Sequence, residues 1–247
     1  MGAEFDVSVR AHGQIRVVQP HGVLTEHTGT QLCRVLATAL RDHRRVVVDL
    51  DGFGLARTSC VTIFPAALDQ CGGWPRGCLV LCRPDQQMAL ALEQHRVPAL
   101  VPVYPLLRDA EEAIERRPAV VRTRIQLGCD DHAPDAACRL VRETCTMWQV
   151  DTERRQIAEL VVSELVDNVV RHARTAAVLT LEQGTRGLQI AVRDAASQEV
   201  FSPSSWRCTG ARRQGRGLEL VARLATAWGV ERHPVGKTVW AQLAHGM

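Results

Sequence analysis

The sequence predicts two domains: an α/β sheet layered by helices, then an α+β sandwich. Three observations carry this. Up to about residue 117, short β-branched runs alternate with helical patterns, the rhythm of an α/β sheet. From about residue 121, two long helical stretches precede strands joined by short turns, which gives helices packed on a mostly antiparallel sheet. Between them, RRPAVV concentrates charge and proline as linkers do, so the expected domains are 1–117 and 118–247.

The elements follow in order. FDVSVRA and QIRVVQPHGVL read as a strand pair divided at Gly13, since β-branched residues crowd both runs. Thr25 to Leu40 places Leu32, Val35, Leu36, Ala39 and Leu40 at helical spacing. RRVVVDL is a short strand whose Val46–Val48 run calls for cover on both faces. A helix near Ser59 to Leu68, the turn CGGWPRG and the strand CLVLC come next. A helix from Pro84 to about His95, the strand LVPV and a charged helix from Leu106 to Arg117 complete the first half. In the second half VRTRIQL is a strand, and Pro134 to Gln149 and Thr152 to Ala173 are helices. AAVLTLE and LQIAVRD are strands joined through QGTRG, a hairpin signal. A polar stretch from Ala195 to Gln214 shows little periodicity. A helix from Gly217 to about Ala227 and strands at GVER and KTVWAQL follow.

Composition narrows the function. Aromatic residues are 4% of the chain and the net charge is +3, with basic residues spread along it, so base-stacking platforms and direct DNA binding are not expected. The opening MGAEFDVSVRAHGQ lacks a signal-peptide pattern, and Asp6 stands where myristoylation calls for Ser or Thr. No apolar run approaches membrane-spanning length, so a cytoplasmic protein is expected. Nine cysteines invite a zinc reading, but Cys71, Cys78 and Cys82, like Cys138 and Cys145, do not fall in CxxC pairs. Cys33, Cys78 and Cys82 lie in apolar segments and read as reduced core thiols.

The stretch ELVVSELVDNVVRHA, residues 159–173, holds the chemistry. Among its valines and leucines runs a polar stripe of Glu164, Asn168 and Arg171, edged by Asp167 and His172. Residues four apart share a helical face, so Glu164 and Asn168 either face solvent or serve one site. Three further stretches favour a site. LQIAVRD ends on Asp194, a carboxylate able to accept from an exocyclic amine. QGRGLELV sets Gly215 and Gly217 at a helix start, where glycine lets backbone approach closely and free N–H groups face phosphate oxygens. GKTVWAQL brings Gly236, Lys237 and Thr238 to the entry of the last strand.

In these stretches the chain resembles the GHKL ATPase/kinase superfamily, with its Bergerat sandwich, and within it the serine protein kinases that act as anti-sigma factors. SELVDNVVRHA looks like that family's N box, VRDAAS like its first glycine box, GRGLELVARLATAWGV like its second and GKTVWAQL like its last strand. The resemblance covers roughly residues 120 to 247. It implies ATP and Mg²⁺ as cofactors, with Glu164 the general base and Asn168 holding Mg²⁺ through its amide oxygen. Asp194 would read the adenine amine; Gly215, Arg216 and Gly217 would lie beside the phosphates, and Thr238 in the nucleotide site. The polar stretch 195–214 then reads as a lid, with Arg207, Arg212 and Arg213 within reach of phosphates or simply in solvent. The run Asp194-Ala195-Ala196-Ser197-Gln198 lacks the glycines usual after this Asp.

VVVDLDGFGLARTSCVTIF and HGVLTEHT make the first half resemble the STAS domain of anti-anti-sigma factors. That resemblance implies a phosphoacceptor serine at Ser59, beside Thr58; the alternative is that Ser59 only caps its helix. The usual Asp-Ser-Ser-Gly is here Arg57-Thr58-Ser59-Cys60. Together the halves suggest a partner-switching serine protein kinase fused to an anti-anti-sigma-like domain. Its expected partners are a sigma factor and/or an anti-anti-sigma protein, and a homodimer is expected by the same resemblance. The alternative is a non-catalytic scaffold whose nucleotide state sets its affinity for a sigma-factor regulator.

Overall fold

Parallel strands need crossovers, and the first 122 residues supply them. In the computed structural model, which describes residues 5–195 and 216–244, the chain divides into two units, Met1–Arg122 and Thr123–Met247. The first is built on a five-stranded sheet: β1 (Asp6–His12), β2 (Ile15–His21), β4 (Arg45–Asp49), β6 (Cys78–Cys82) and β7 (Val103–Tyr104), in that order. β1 and β2 form an antiparallel hairpin at Gly13, whose φ of 59° is the left-handed turn geometry glycine permits. The other neighbours are parallel, linked by α1 (Glu26–His43), α2 (Ile63–Gln70) and α3 (Gln86–Gln94). A short parallel pair of β3 (Val23–Leu24) and β5 (Gly54–Leu55) lies apart from this sheet.

The valine run of β4 is covered on both sides, as its composition requires. Val46 and Val48 join a core with Leu32, Leu36, Phe64 and Met88 from the three crossover helices. Val47 points the other way, into a smaller core with Val80, Cys82, Ala110 and Ile114 under α4 (Leu107–Ala113). Helix α1 starts at a reciprocal cap: Thr25 Oγ1 accepts from the Thr28 N–H, and Thr28 Oγ1 accepts from the Thr25 N–H at 2.8 Å. Two expectations change in detail. The helix expected from Ser59 begins as a 3₁₀ turn, Thr58–Thr62, before α2. The strand LVPV shrinks to β7, because Val97–Ala99 form a 3₁₀ turn and Pro102 has no N–H for a ladder.

The second unit is an α+β sandwich. Its sheet runs β11 (Ala227–Arg232), β12 (Lys237–Leu243), β10 (Gly187–Asp194), β9 (Ala177–Gly184), β8 (Val121–Leu127). The β9–β10 hairpin turns on Thr185 and Arg186, and Gly187 (φ 105°) sits where a Cβ would strike backbone at Leu243. Strand alternation sends Leu188, Ile190, Val192 and Asp194 of β10 inward, with Lys237, Val239, Ala241 and Leu243 of β12 beside them. Helices α5 (Ala133–Met147) and α6 (Thr152–Asn168) pair, and α6 packs on β10, β12 and α7 (Arg216–Leu224).

Asp151 starts α6 by accepting from the Arg154 N–H at 2.8 Å. The helix expected to run to Ala173 is α-helical only to Asn168. Its last turn widens into a π segment, Val169–Ala173, in which the Arg174 N–H reaches back five residues to the Val169 carbonyl at 2.9 Å. Helix α7 ends at Leu224, before the expected Ala227, because the Thr226 N–H already bonds the Gln242 carbonyl and draws the chain to the sheet edge. Cys33 is half-buried, whereas Cys78, Cys82 and Cys145 are buried, and burial pushes the Cys82 and Cys145 thiols up to about 12. Among the described residues no helix is long and apolar enough to cross a membrane.

Candidate functional site

Glu164 and Asn168 lie one turn apart near the C-terminal end of α6, between buried Leu165–Val166 and Val169. Both are half-buried, and neither side chain has a hydrogen-bonding partner among the described residues. Arg171 does not join them: it pairs with Asp167 (3.0 and 2.8 Å) in an ordinary exposed contact one turn apart.

Helix α7 explains Gly217. A Cβ there would overlap Glu164 Oε2, so only glycine lets the first turn of α7 come this close to the carboxylate. The positive end of a helix beside Glu164 is also where a phosphate would be stabilised. Gly215 and the stretch 196–214, including Arg207, Arg212 and Arg213, lie outside the described residues, as does the side chain of Arg216.

Asp194 closes the other side. It ends β10 with its side chain buried and ion-paired to Lys237 Nζ at 2.9 Å, directly across the β10–β12 ladder. Beside it Gly236 adopts φ 77°, and a Cβ at that position would run into the Asp194 carbonyl. The Ala195 N–H, next along the chain, donates to Thr175 Oγ1 at 3.3 Å, which ties the end of β10 to the chain leaving α6. Glu164, Asn168, Gly217 and Asp194 thus belong to one end of the sandwich.

Thr238 does not join them. Neighbouring residues of a strand point to opposite faces, so with Lys237 inward beside Val239, Thr238 faces outward next to Arg193. There its hydroxyl bonds His233 Nε2 at 2.8 Å. The residue facing Asp194 is Lys237. Reading the face from KTVWAQL, where Val239 and Ala241 set the inward alternation, would have found it.

A divalent ion fits this end in one way. Among the described residues no three His, Cys, Asp or Glu side chains form a metal-binding group. A hard Mg²⁺ held through the Asn168 amide oxygen would take its other ligands from phosphates and water, as it commonly does. When bound, it would neutralise phosphate charge.

Ser59 belongs to the first unit and is exposed. It is not a helix cap: the capping position of its 3₁₀ turn is Arg57, with no side-chain cap, and Arg57 instead meets Glu26 at 2.9 Å. The Ser59 carbonyl accepts from Thr62 Oγ1 at 2.8 Å.

A helix presenting a carboxylate and an amide is thus laid on an antiparallel sheet, with a glycine-started helix against the carboxylate. Residues 130–243 match the family described as the histidine kinase-like ATPase domain, and this part of the chain is such a domain. No curated protein matches the chain. Among solved structures, an anti-sigma factor antagonist from Mycobacterium paratuberculosis is 20% identical, over 45% of this chain and 94% of its own, with a TM-score of 0.39. A STAS domain protein from Planctomyces limnophilus, also an anti-sigma-factor antagonist, is 19% identical over 45% and 99%, with a TM-score of 0.38. The RsbU and RsbW domains of a Mycobacterium tuberculosis protein are 17% identical over 49% of this chain and 31% of theirs, with a TM-score of 0.37.

Proposed function

We propose that the protein is a partner-switching regulator whose second unit binds Mg-ATP and phosphorylates a serine of a regulatory protein of the anti-anti-sigma kind, thereby controlling a sigma factor. The observation that carries this reading is the half-buried Glu164 beside Gly217 of α7, one helical turn from Asn168. Phosphoryl transfer is mostly positioning and charge neutralisation. The serine oxygen attacks the γ-phosphorus, the bond to the β–γ bridging oxygen breaks, and Glu164 takes the hydroxyl proton. Asn168 orients the metal, the start of α7 receives phosphate charge, and Asp194 accepts from the adenine amine. The STAS-like first unit offers exposed Ser59 as an acceptor, in its own chain or in a second copy of a cytoplasmic homodimer.

A second reading is favoured by the Lys237 pairing of Asp194 and by the missing glycines after it: a nucleotide-gated scaffold without transfer, which docks its partner through the first unit. Intact mass of the purified chain before and after Mg-ATP, beside Ser59→Ala, separates the two. One added phosphate on the wild type alone supports the kinase and Ser59. No added mass, either alone or with an added STAS-domain antagonist, while ADP still binds, removes the kinase reading and leaves the scaffold.

A further inference from the structure

The Asp194–Lys237 pair is unusual in its placement. Lys237 occupies an inward position in a strand whose other inward residues are Val239, Ala241 and Leu243, and its side chain is 7% exposed. Buried ion pairs add little stability, since desolvation offsets their attraction, so an apolar residue would serve the core as well. An ammonium has three donors, and a carboxylate accepts through two oxygens. Among the described residues Asp194 is the side chain that Lys237 meets.

We propose that Lys237 is a specificity-determining residue that reads the nucleotide base together with Asp194. The inference rests on the nucleotide reading above. A carboxylate and an ammonium 2.9 Å apart form an acceptor beside a donor, at a spacing close to that of neighbouring groups on a purine edge. Adenine presents the complement: its exocyclic amine donates, and the adjacent ring nitrogen N1 accepts. Asp194 takes the amine and Lys237 donates to N1. The same ammonium neutralises Asp194 when no base is bound, so the carboxylate is never buried alone.

The test is equilibrium titration of the full chain with Mg-ADP and with the ADP analogue carrying carbon in place of N1. A lost hydrogen bond to a charged group weakens binding by about 10- to 100-fold, so the wild type should discriminate between the two ligands by that factor. Lys237→Met should bind both equally. If that variant does not fold, the apolar pair Lys237→Met with Asp194→Leu leaves no buried charge and no side chain able to donate to N1, and must likewise lose the discrimination. Equal binding of both ligands by the wild type overturns the proposal and reduces Lys237 to a neutralising residue. Discrimination that survives in the variant overturns it too, since another group then reads N1. Absence of any ADP binding by the wild type sinks the nucleotide reading itself, and this inference with it.

Discussion

Each unit buries one aspartate against one cation, and the two pairs are built differently. Asp49 and Asp194 are equally buried, at 3% exposure each. Asp49 meets a guanidinium: Arg83 Nε donates to Oδ1 at 2.9 Å, Nη2 bonds Oδ2, and Nη1 reaches out to Asp51 at 2.9 Å. A planar fork satisfies both oxygens at once and leaves its outer edge in water. Asp49 also accepts from the Asp51 N–H and lies 3.9 Å from Cys82 Sγ. Asp194 meets a point charge instead, the Lys237 ammonium at 2.9 Å. The first pair is a bidentate contact at the ends of β4 and β6, whereas the second joins facing residues of neighbouring strands. Equal burial and opposite charge thus accommodate two geometries, a planar fork in one unit and a point charge in the other.

The largest expected effect tests whether the second unit carries the chemistry at all. Removing a positioned proton acceptor costs about 10²- to 10⁴-fold in rate. Glu164→Ala should therefore lower phosphoryl transfer by that factor while ADP binding in titration stays near the wild-type value. Transfer that persists at the wild-type rate would take Glu164 out of the base role and leave it as a companion to the start of α7.

The first pair should respond in stability and not in ligand binding. Leaving a buried carboxylate without its cation costs about 3 to 5 kcal/mol, and the partial exposure of Arg83 places Arg83→Met toward the lower end. Denaturant unfolding of the first unit's transition should show that loss, with the ADP affinity of the second unit unchanged. A parallel loss of ADP binding would mean that Asp49–Arg83 is not merely structural, and the contrast between the pairs would fail.

How much of this was legible in the sequence depends on which periodicity carried the signal. The buried faces of α1, α6, β4 and β10 were readable because hydrophobic spacing fixes them. The places of Glu164 and Asn168 on α6 and of Asp194 at the end of β10 follow from the same spacing. Thr238 was assigned by residue type where the strand's alternation should have decided, and the inward residue is its neighbour Lys237. Ser59 illustrates a different limit: serine favours caps, yet a 3₁₀ turn starting one residue earlier puts Arg57 in that position. The π turn after Asn168 and the two-residue strands β3 and β5 leave no pattern, because each depends on a few backbone hydrogen bonds set by distant partners.

The smallest expected effect probes the contact between Glu164 and α7, where stability and activity should move in opposite directions. Gly217 stands in the first turn of α7, and alanine is the better helix former there by up to about 1 kcal/mol. The atom that an added Cβ would overlap is Oε2, the far end of a flexible side chain. The carboxylate can turn away at little cost to the fold. Turning away removes it from the place where a serine hydroxyl must give up its proton, and misplacement of a base by an ångström is enough to slow transfer. Gly217→Ala should thus unfold at the same or slightly higher denaturant concentration while phosphoryl transfer falls about tenfold, a barrier increase of about 1.4 kcal/mol. Lowered stability with unchanged transfer would reverse the assignment, making Gly217 a packing residue and leaving Glu164 free to act from another rotamer.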